Sequence, residues 1–161
     1  MKHIKIWSLL ALCLVAMTSC GGGDNNGDPQ PGPKGDLKEK IVASWHLTNW
    51  SNGESYADVY IKFDAAGNFD LYQRVDRPGY VHYTGKYSIE EGDVISGVYS
   101  DNTAWACKYA GRVDQNGDVL TLVSQGGENI TSVYAKSEIP ADVTDFVTEI
   151  KSTRSDEKRW L

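Results

Sequence analysis

Cysteine and histidine are the residues of this sequence that could carry metal or nucleophilic chemistry. His46 and His82 are far apart, and no His-x-His or Cys-x-x-Cys spacing is present, so local spacing assembles no metal site. There is also no Gly-x-Ser-x-Gly turn, and neither histidine has an evident carboxylate partner to orient it. We therefore expect no catalytic residue, no metal and no cofactor. An enzyme would need His46 or His82 in a cleft beside a carboxylate.

Cys107 is the one cysteine in the sequence after residue 20. It lies between Ala106 and Lys108 in an apolar-leaning stretch, which favours a buried, inert thiol over a nucleophile.

Aromatic residues suggest a different chemistry, the recognition of a small hydrophobic or amphiphilic ligand. Strand alternation places one set of large side chains on a common inner face: Trp45, Leu47, Phe63, Phe69, Tyr83, Tyr87, Tyr109 and Tyr134. Such a set could line a pocket in which tyrosine hydroxyls orient the ligand. The alternative is that the same side chains simply fill a narrow barrel, since many aromatic rings leave little volume, and both interpretations stay open here.

A second aromatic set is expected on loops or outer faces: Trp50, Tyr56, Tyr60 and Tyr72. These could offer stacking platforms to sugars or to a protein partner, although scattered surface aromatics are normal.

The start of the chain could carry a lipid. A basic beginning precedes an apolar run over residues 6–17, which is typical of a secretory signal peptide and shorter than the roughly 20 apolar residues of a spanning helix. Thr18 and Ser19 then lead into Cys20, and this arrangement resembles the lipobox of bacterial lipoproteins. The resemblance implies removal of residues 1–19, lipid attachment at Cys20 with acyl chains such as palmitate, and anchoring to a membrane. Ordinary secretion with an incidental cysteine is the alternative.

Residues 20–36 form the next segment, a lipidated cysteine followed by a tether. The tether is rich in Gly, Asn, Asp and Pro and cannot bury enough surface to offset its ordering entropy. Its beginning resembles tethers of Bacteroides-group lipoproteins, which implies an outer-membrane location on the periplasmic face or the cell surface.

Composition limits the partners of the remaining chain. Loss of residues 1–19 removes Lys2 and Lys5 and leaves 14 basic and 22 acidic residues, a formal charge of −8. An acidic domain lacks the electrostatic footprint of a nucleic-acid binder, so we expect no nucleic-acid partner. With Cys20 lipidated, Cys107 has no disulfide partner. Residues 37–151 suit one domain, and residues 152–161 read as a polar tail in which Trp160 and Leu161 could either pack or fray.

The elements that must position these residues are short strands. Period-2 alternation and turn residues predict strands at 44–50, 58–64, 68–75, 80–89, 93–99, 104–113, 118–124 and 129–136. Three acidic turns with a late glycine connect them, as in hairpins that need one residue at positive φ. Eight strands joined in sequence predict an all-β, up-and-down antiparallel barrel. An apolar stripe at Val143, Phe146, Val147 and Ile150 predicts one C-terminal helix over 140–151, packed on the barrel wall or over one end of the barrel.

The order of several short patterns carries a family resemblance. These are Ala43-Ser44-Trp45-His46-Leu47, residues 61–69, Gly85-Lys86-Tyr87-Ser88-Ile89 and Leu120-Thr121-Leu122. Together they resemble the lipocalin-like domains of Bacteroides-group lipoproteins. The resemblance implies a small extracytoplasmic lipoprotein whose barrel binds a small apolar ligand. The alternative is a filled barrel that acts through its loops as a protein-interaction or inhibitor module, with the protein partner unknown.

Overall fold

The computed structural model describes residues 36–53, 56–145, 147 and 158–161. The predicted signal peptide, the lipid attachment at Cys20 and the tether up to residue 35 lie outside the described residues. Within the described parts, neither helix has the length and apolar character that crossing a bilayer requires.

Eight antiparallel strands form a closed barrel in which each strand pairs with its sequence neighbours and β8 pairs with β1, so the predicted barrel is confirmed. The strands are β1 (Ser44–Trp50), β2 (Ala57–Phe63), β3 (Asn68–Val75), β4 (Val81–Glu90), β5 (Val94–Tyr99), β6 (Lys108–Val113), β7 (Val119–Gln125) and β8 (Thr131–Lys136). Two short helices flank them, α1 (Leu37–Lys40) before β1 and α2 (Ala141–Asp145) after β8. Closure gives every strand a partner on both sides.

Strand register places the predicted inner residues opposite one another. Trp45 pairs with Ile61, Ile61 with Leu71, and Leu71 with Tyr83, so one inward row crosses the first four strands. The residues between them point outward, as period-2 alternation requires. The buried apolar cluster therefore lies inside the barrel.

Two of the predicted turns share one local structure. In the β2–β3 turn, the Asp64 carboxylate accepts from the main-chain N–H groups of Ala66 and Asn68, at 2.9 and 2.8 Å. In the β6–β7 turn, Asp114 accepts from main-chain N–H groups in the same way. Gly67 and Gly117 follow three residues later with φ of 82° and 81°, a conformation that glycine adopts without steric cost.

Helix α1, which the alternation pattern did not predict, covers one end of the barrel. Leu37 and Ile41 are buried there, and the Trp45 indole N–H donates to the Ile41 carbonyl at 2.8 Å. Gly111 leaves room for Leu37, since a Cβ at Gly111 would lie 2.5 Å from the leucine methyl carbon. We call this the closed end; the opposite end is the barrel mouth.

The predicted strand 104–113 is shorter in the structure, where β6 begins only at Lys108. The preceding residues turn inward: the Trp105 N–H donates to the Gly97 carbonyl at 2.9 Å, and the Trp105 ring lies over Gly97, where a Cβ would be 2.3 Å from it. The ring packs against Phe69 at 5.2 Å between centroids. A side chain from a connection thus fills barrel volume.

The predicted helix over 140–151 is described only as α2, and Val147 is not helical. Phe146 and residues 148–157 lie outside the described residues. Val143 is buried against Tyr60 and Tyr80. The helix therefore packs on the outer wall of the barrel, as expected, and buries one of the outward tyrosines.

Candidate functional site at the barrel mouth

The eight residues predicted to line the interior all point inward, but they divide between the two ends. Trp45, Phe63 and Phe69 are essentially inaccessible to solvent and pack toward the closed end. Tyr87 joins them: its ring meets Phe63 edge-on at 4.9 Å, and its hydroxyl donates to the Asp64 carbonyl at 2.7 Å. Here the structure shows dense packing, and ligand contact by these residues stays a prediction.

The other four of the eight lie farther toward the mouth. Leu47 and Tyr134 are buried opposite each other on β1 and β8. Tyr83 is half-buried and meets Tyr99 at 5.7 Å between ring centroids. Tyr109 is buried and lines a cavity.

That cavity, of about 430 Å³, opens at the barrel mouth. It is bordered by the strand ends and connections of the mouth and by residues 158–160: Trp50, Val75, Asp76, Ala106, Cys107, Tyr109, Ser124, Gly126, Glu128, Ile130, Ser132, Lys158, Arg159 and Trp160. The wall combines aromatic and aliphatic groups with hydroxyls and a thiol, and charged residues also border the opening. Such a lining suits a molecule with one apolar and one polar part.

Residues 158–161, which we call the mouth segment, form one wall of this cavity and continue into the interior. Leu161 is buried in the central apolar cluster, although a polar tail was expected from the sequence. The Trp160 indole N–H donates to the Tyr134 hydroxyl at 2.7 Å, and its ring meets Trp50 edge-on at 4.8 Å. Of the two outcomes left open for Trp160 and Leu161, packing is the one observed.

An ion pair holds the mouth segment to the β5–β6 connection. The Arg159 guanidinium bonds both carboxylate oxygens of Asp101 and lies over the Tyr99 and Tyr83 rings, at 4.5 and 5.1 Å from their centroids. The hydrogen bonds from Arg159 hold the pKa of Asp101 well below its usual range. The pair therefore stays ionised at neutral pH.

Burial keeps the inner tyrosines protonated. Desolvation raises the pKa of Tyr99, Tyr109 and Tyr134 well above the usual value for a phenol. Their hydroxyls are therefore neutral groups that can donate or accept a hydrogen bond at physiological pH. Tyr109 and the half-buried Cys107 both line the cavity.

The two histidines occupy the outer wall, and here one sequence expectation is wrong. Each has a carboxylate partner: His46 Nε2 lies 3.0 Å from Asp58, and His82 Nε2 lies 2.8 Å from Asp70. These carboxylates stand on neighbouring strands twelve residues from their histidines. No local sequence pattern predicts these histidine–carboxylate pairs, because only the strand register brings the two side chains together.

Tyrosine rings cover the faces of both histidines. His46 stacks on Tyr60 and His82 on Tyr72, in each case with 4.2 Å between ring centroids. The outer position predicted for these tyrosines is confirmed, but Tyr60 is buried beneath α2. Its ring is thus not a free stacking platform.

Asp58 is the hub of this outer network. Burial alone would raise its pKa. Hydrogen bonds from Tyr80, His46 and Arg74 outweigh burial and hold the pKa of Asp58 below its ordinary value. The bonds to Tyr80 and Arg74, of 2.5 and 2.8 Å, tie strand β2 to the chain between Arg74 and Tyr80.

Among the described residues, no group of three or more histidine, cysteine, aspartate or glutamate side chains is placed to hold a metal ion. The groups that sequence reasoning missed at the mouth are Gln73, Tyr99 and the mouth segment, and Cys107, which was expected to be buried, is half-buried at the cavity wall. The one available signal was the pair of large apolar residues, Trp160 and Leu161, that follows a polar run.

Comparisons with known proteins assign no family to the chain. No family model matches the chain, and no curated protein matches it. A solved structure, "As-p18, an extracellular fatty acid binding protein", is similar to it with 13% identity and a TM-score of 0.37. The similarity covers 63% of this chain and 99% of that one. Likeness at this level does not assign a function to the chain.

Proposed function

We propose that the barrel binds one small amphiphilic molecule in the mouth cavity. The observation that carries this proposal is the cavity itself, a space of about 430 Å³ with a mixed apolar and polar wall, above the buried apolar cluster of the barrel. Its volume falls within the range of roughly 300–1,000 Å³ that is usual for small-molecule pockets. The ligand would sit at the mouth and not along the whole barrel axis.

The lining indicates how such a ligand would be held. Trp50 and Ile130 offer apolar surface, whose burial stabilises a complex by about 25 cal/mol per Å². Ser132 and Tyr109 offer hydroxyls near the same space, which would orient a polar group. Three connections contribute to this wall, β3–β4, β5–β6 and β7–β8, so its composition can vary without change to the barrel.

Filling the cavity should abolish binding. Ala106 is exposed and lines the cavity, so Ala106→Trp would occupy it, whereas Ala104→Trp places the same ring on the same connection outside the lining. We expect dansylundecanoic acid, a fluorescent amphiphile, to bind the wild-type protein. Ala106→Trp should weaken this binding at least about tenfold, equivalent to roughly 1.4 kcal/mol, with little change in the control. Fluorescence titration measures both.

Alkylation of Cys107 gives an independent readout of occupancy. Because this thiol lines the cavity, bound probe should slow its reaction with N-ethylmaleimide, as followed by mass spectrometry. Equal weakening by both tryptophan variants, or alkylation that is unaffected by saturating probe, would argue against a ligand in this cavity.

A protein-interaction role through the mouth loops is the second candidate. The packed closed end favours it, since a filled barrel presents mainly its loops to a partner. Absence of probe binding in the wild-type protein would leave this candidate as the better one.

We also propose that the chain is anchored to the outer membrane through a lipid on Cys20. The support is the sequence alone, an apolar run that ends in Thr18-Ser19-Cys20 and a tether that follows. Several acyl chains on one residue would hold the protein firmly at a membrane, whereas one chain binds only marginally.

Cys13 provides a matched control for this second proposal, because it lies within the apolar run. In a bacterial host that processes lipoproteins, radiolabelled palmitate should enter the wild-type protein and Cys13→Ser. Cys20→Ser should lose essentially all label and remain unprocessed. Label retained in Cys20→Ser would contradict lipidation at that residue.

A further inference from the structure

Three polar side chains are buried inside the barrel near its mouth. Gln73, Tyr99 and Tyr134 are only 1%, 3% and 1% exposed, although their neighbours in the interior are mostly apolar. Polar groups in such a place are unfavourable unless each has a hydrogen-bond partner. The hydrogen-bond partners of these three side chains therefore show what stabilises polar groups inside this barrel.

All three bond to the mouth segment. The Gln73 amide nitrogen donates to the Lys158 carbonyl at 2.9 Å, and its amide oxygen accepts from the Trp160 N–H at 2.7 Å. The Tyr99 hydroxyl donates to the main-chain oxygen of Leu161 at 2.8 Å. The Tyr134 hydroxyl accepts from the Trp160 indole N–H at 2.7 Å.

The mouth segment presents the chemistry of an amphiphile to this interior. The Leu161 side chain is buried in the apolar cluster, and its main-chain oxygen receives the Tyr99 hydrogen bond. An aliphatic group thus lies next to a hydrogen-bond acceptor. A ligand with an oxygen-bearing head group and an aliphatic part would make the same two kinds of contact.

The barrel does not require the mouth segment for its closure. Strands β1 to β8 close on one another, and the segment contributes no strand to the sheet. Its departure would leave the ladder of main-chain hydrogen bonds intact. The space it vacates would join the mouth cavity, because Lys158, Arg159 and Trp160 form part of the cavity wall.

We propose that the mouth segment occupies the inner part of the ligand site and that an amphiphile with a hydrogen-bond-accepting head group displaces it. Gln73 and Tyr99 then bond to the head group, and the aliphatic part takes the place of the Leu161 side chain. This inference rests on the proposed function and names the inner contacts of the same site.

Truncation tests the displacement directly. A variant that ends at residue 157 should bind dansylundecanoic acid at least about tenfold more tightly than the full chain, because no bound segment has to be expelled first. Lys38→Ala is the control, since it also removes one lysine, and this exposed residue of α1 lies at the closed end of the barrel. Its affinity should equal that of the wild-type protein. Unchanged or weaker binding by the truncated variant would overturn the inference.

Trypsin provides a second test on the full chain, which decides the matter if the truncated variant does not fold. Cleavage after Arg159 releases the chain that begins at Trp160, and saturating probe should accelerate this release at least about tenfold by freeing the segment. Cleavage after Lys62, within β2, serves as the measure of global unfolding and should not accelerate. Release that is unchanged or slowed by bound probe would overturn the inference.

The two proposals fail in different ways. Absence of probe binding in both the full and the truncated chain would remove the proposed function and this inference together. Probe binding that Ala106→Trp abolishes, with no effect of truncation and no accelerated release, would leave the mouth cavity as the site and the segment as a fixed wall.

Discussion

Gly85→Ala should lower the free energy of unfolding by about 3 kcal/mol, near the upper end for overpacked cores. A Cβ at this position of β4 would lie 2.2 Å from the Val98 carbonyl oxygen and 2.6 Å from the Phe69 ring. The carbonyl belongs to the paired strand and cannot move without disturbing the ladder between β4 and β5. Urea unfolding followed by circular dichroism measures the loss.

Gly53→Ala is the matched control for that experiment. Its Cβ would meet its nearest neighbour, the Trp50 carbonyl oxygen, at 3.5 Å, which is ordinary van der Waals contact. We expect a change within about 0.5 kcal/mol for this variant. Similar stabilities for the two variants would show that β4 and β5 do not approach each other as closely as described.

Trp45→Ala should cost about 3–5 kcal/mol of unfolding free energy, the range for removal of a large buried aromatic side chain. Trp45 is 0% exposed, and its indole bonds to the Ile41 carbonyl, so it joins the chain after α1 to the barrel core. Trp45→Phe retains most of the volume and loses the hydrogen bond, for an expected cost of about 1–3 kcal/mol.

The same pair of variants separates the two interpretations that the sequence left open for Trp45. A core residue changes stability and leaves probe affinity unchanged in Trp45→Phe. A ligand-contacting residue changes affinity with little effect on stability. Chemical unfolding and probe titration on the same samples distinguish these outcomes, and the packing at the closed end leads us to expect the first.

Much of the fold could be predicted because its signals are local. Alternation in the sequence places Val59, Ile61 and Phe63 on the inner face of β2 whatever lies across the barrel, and these residues are buried as expected. Turn chemistry is local as well, since Gly67 and Gly117 adopt the positive φ that their turns need. The predicted bounds of β6 were wrong because of a contact with another strand. Trp105 bonds to Gly97 of β5, and β6 therefore begins later than its pattern suggests.

The candidate site was predictable only in part. Tyr109 lines the cavity and was among the residues predicted to line the interior, whereas the polar Gln73 was not among them, because its partners come from a distant part of the chain. The carboxylate partners of His46 and His82 were missed for the same reason. Strand register creates these juxtapositions, and register is a property of paired strands and not of one segment.

The sequence by itself determined that eight short strands alternate inner and outer faces and close through tight turns, because side-chain period and backbone conformation depend on near neighbours. Only the tertiary structure decided which inward residues fill the core and which border a cavity. That division depends on volume, and distant parts of the chain compete for the same interior, as when Trp160 bonds to Gln73 across 87 residues. A cavity remains at the mouth because the side chains that converge there leave part of the space unfilled.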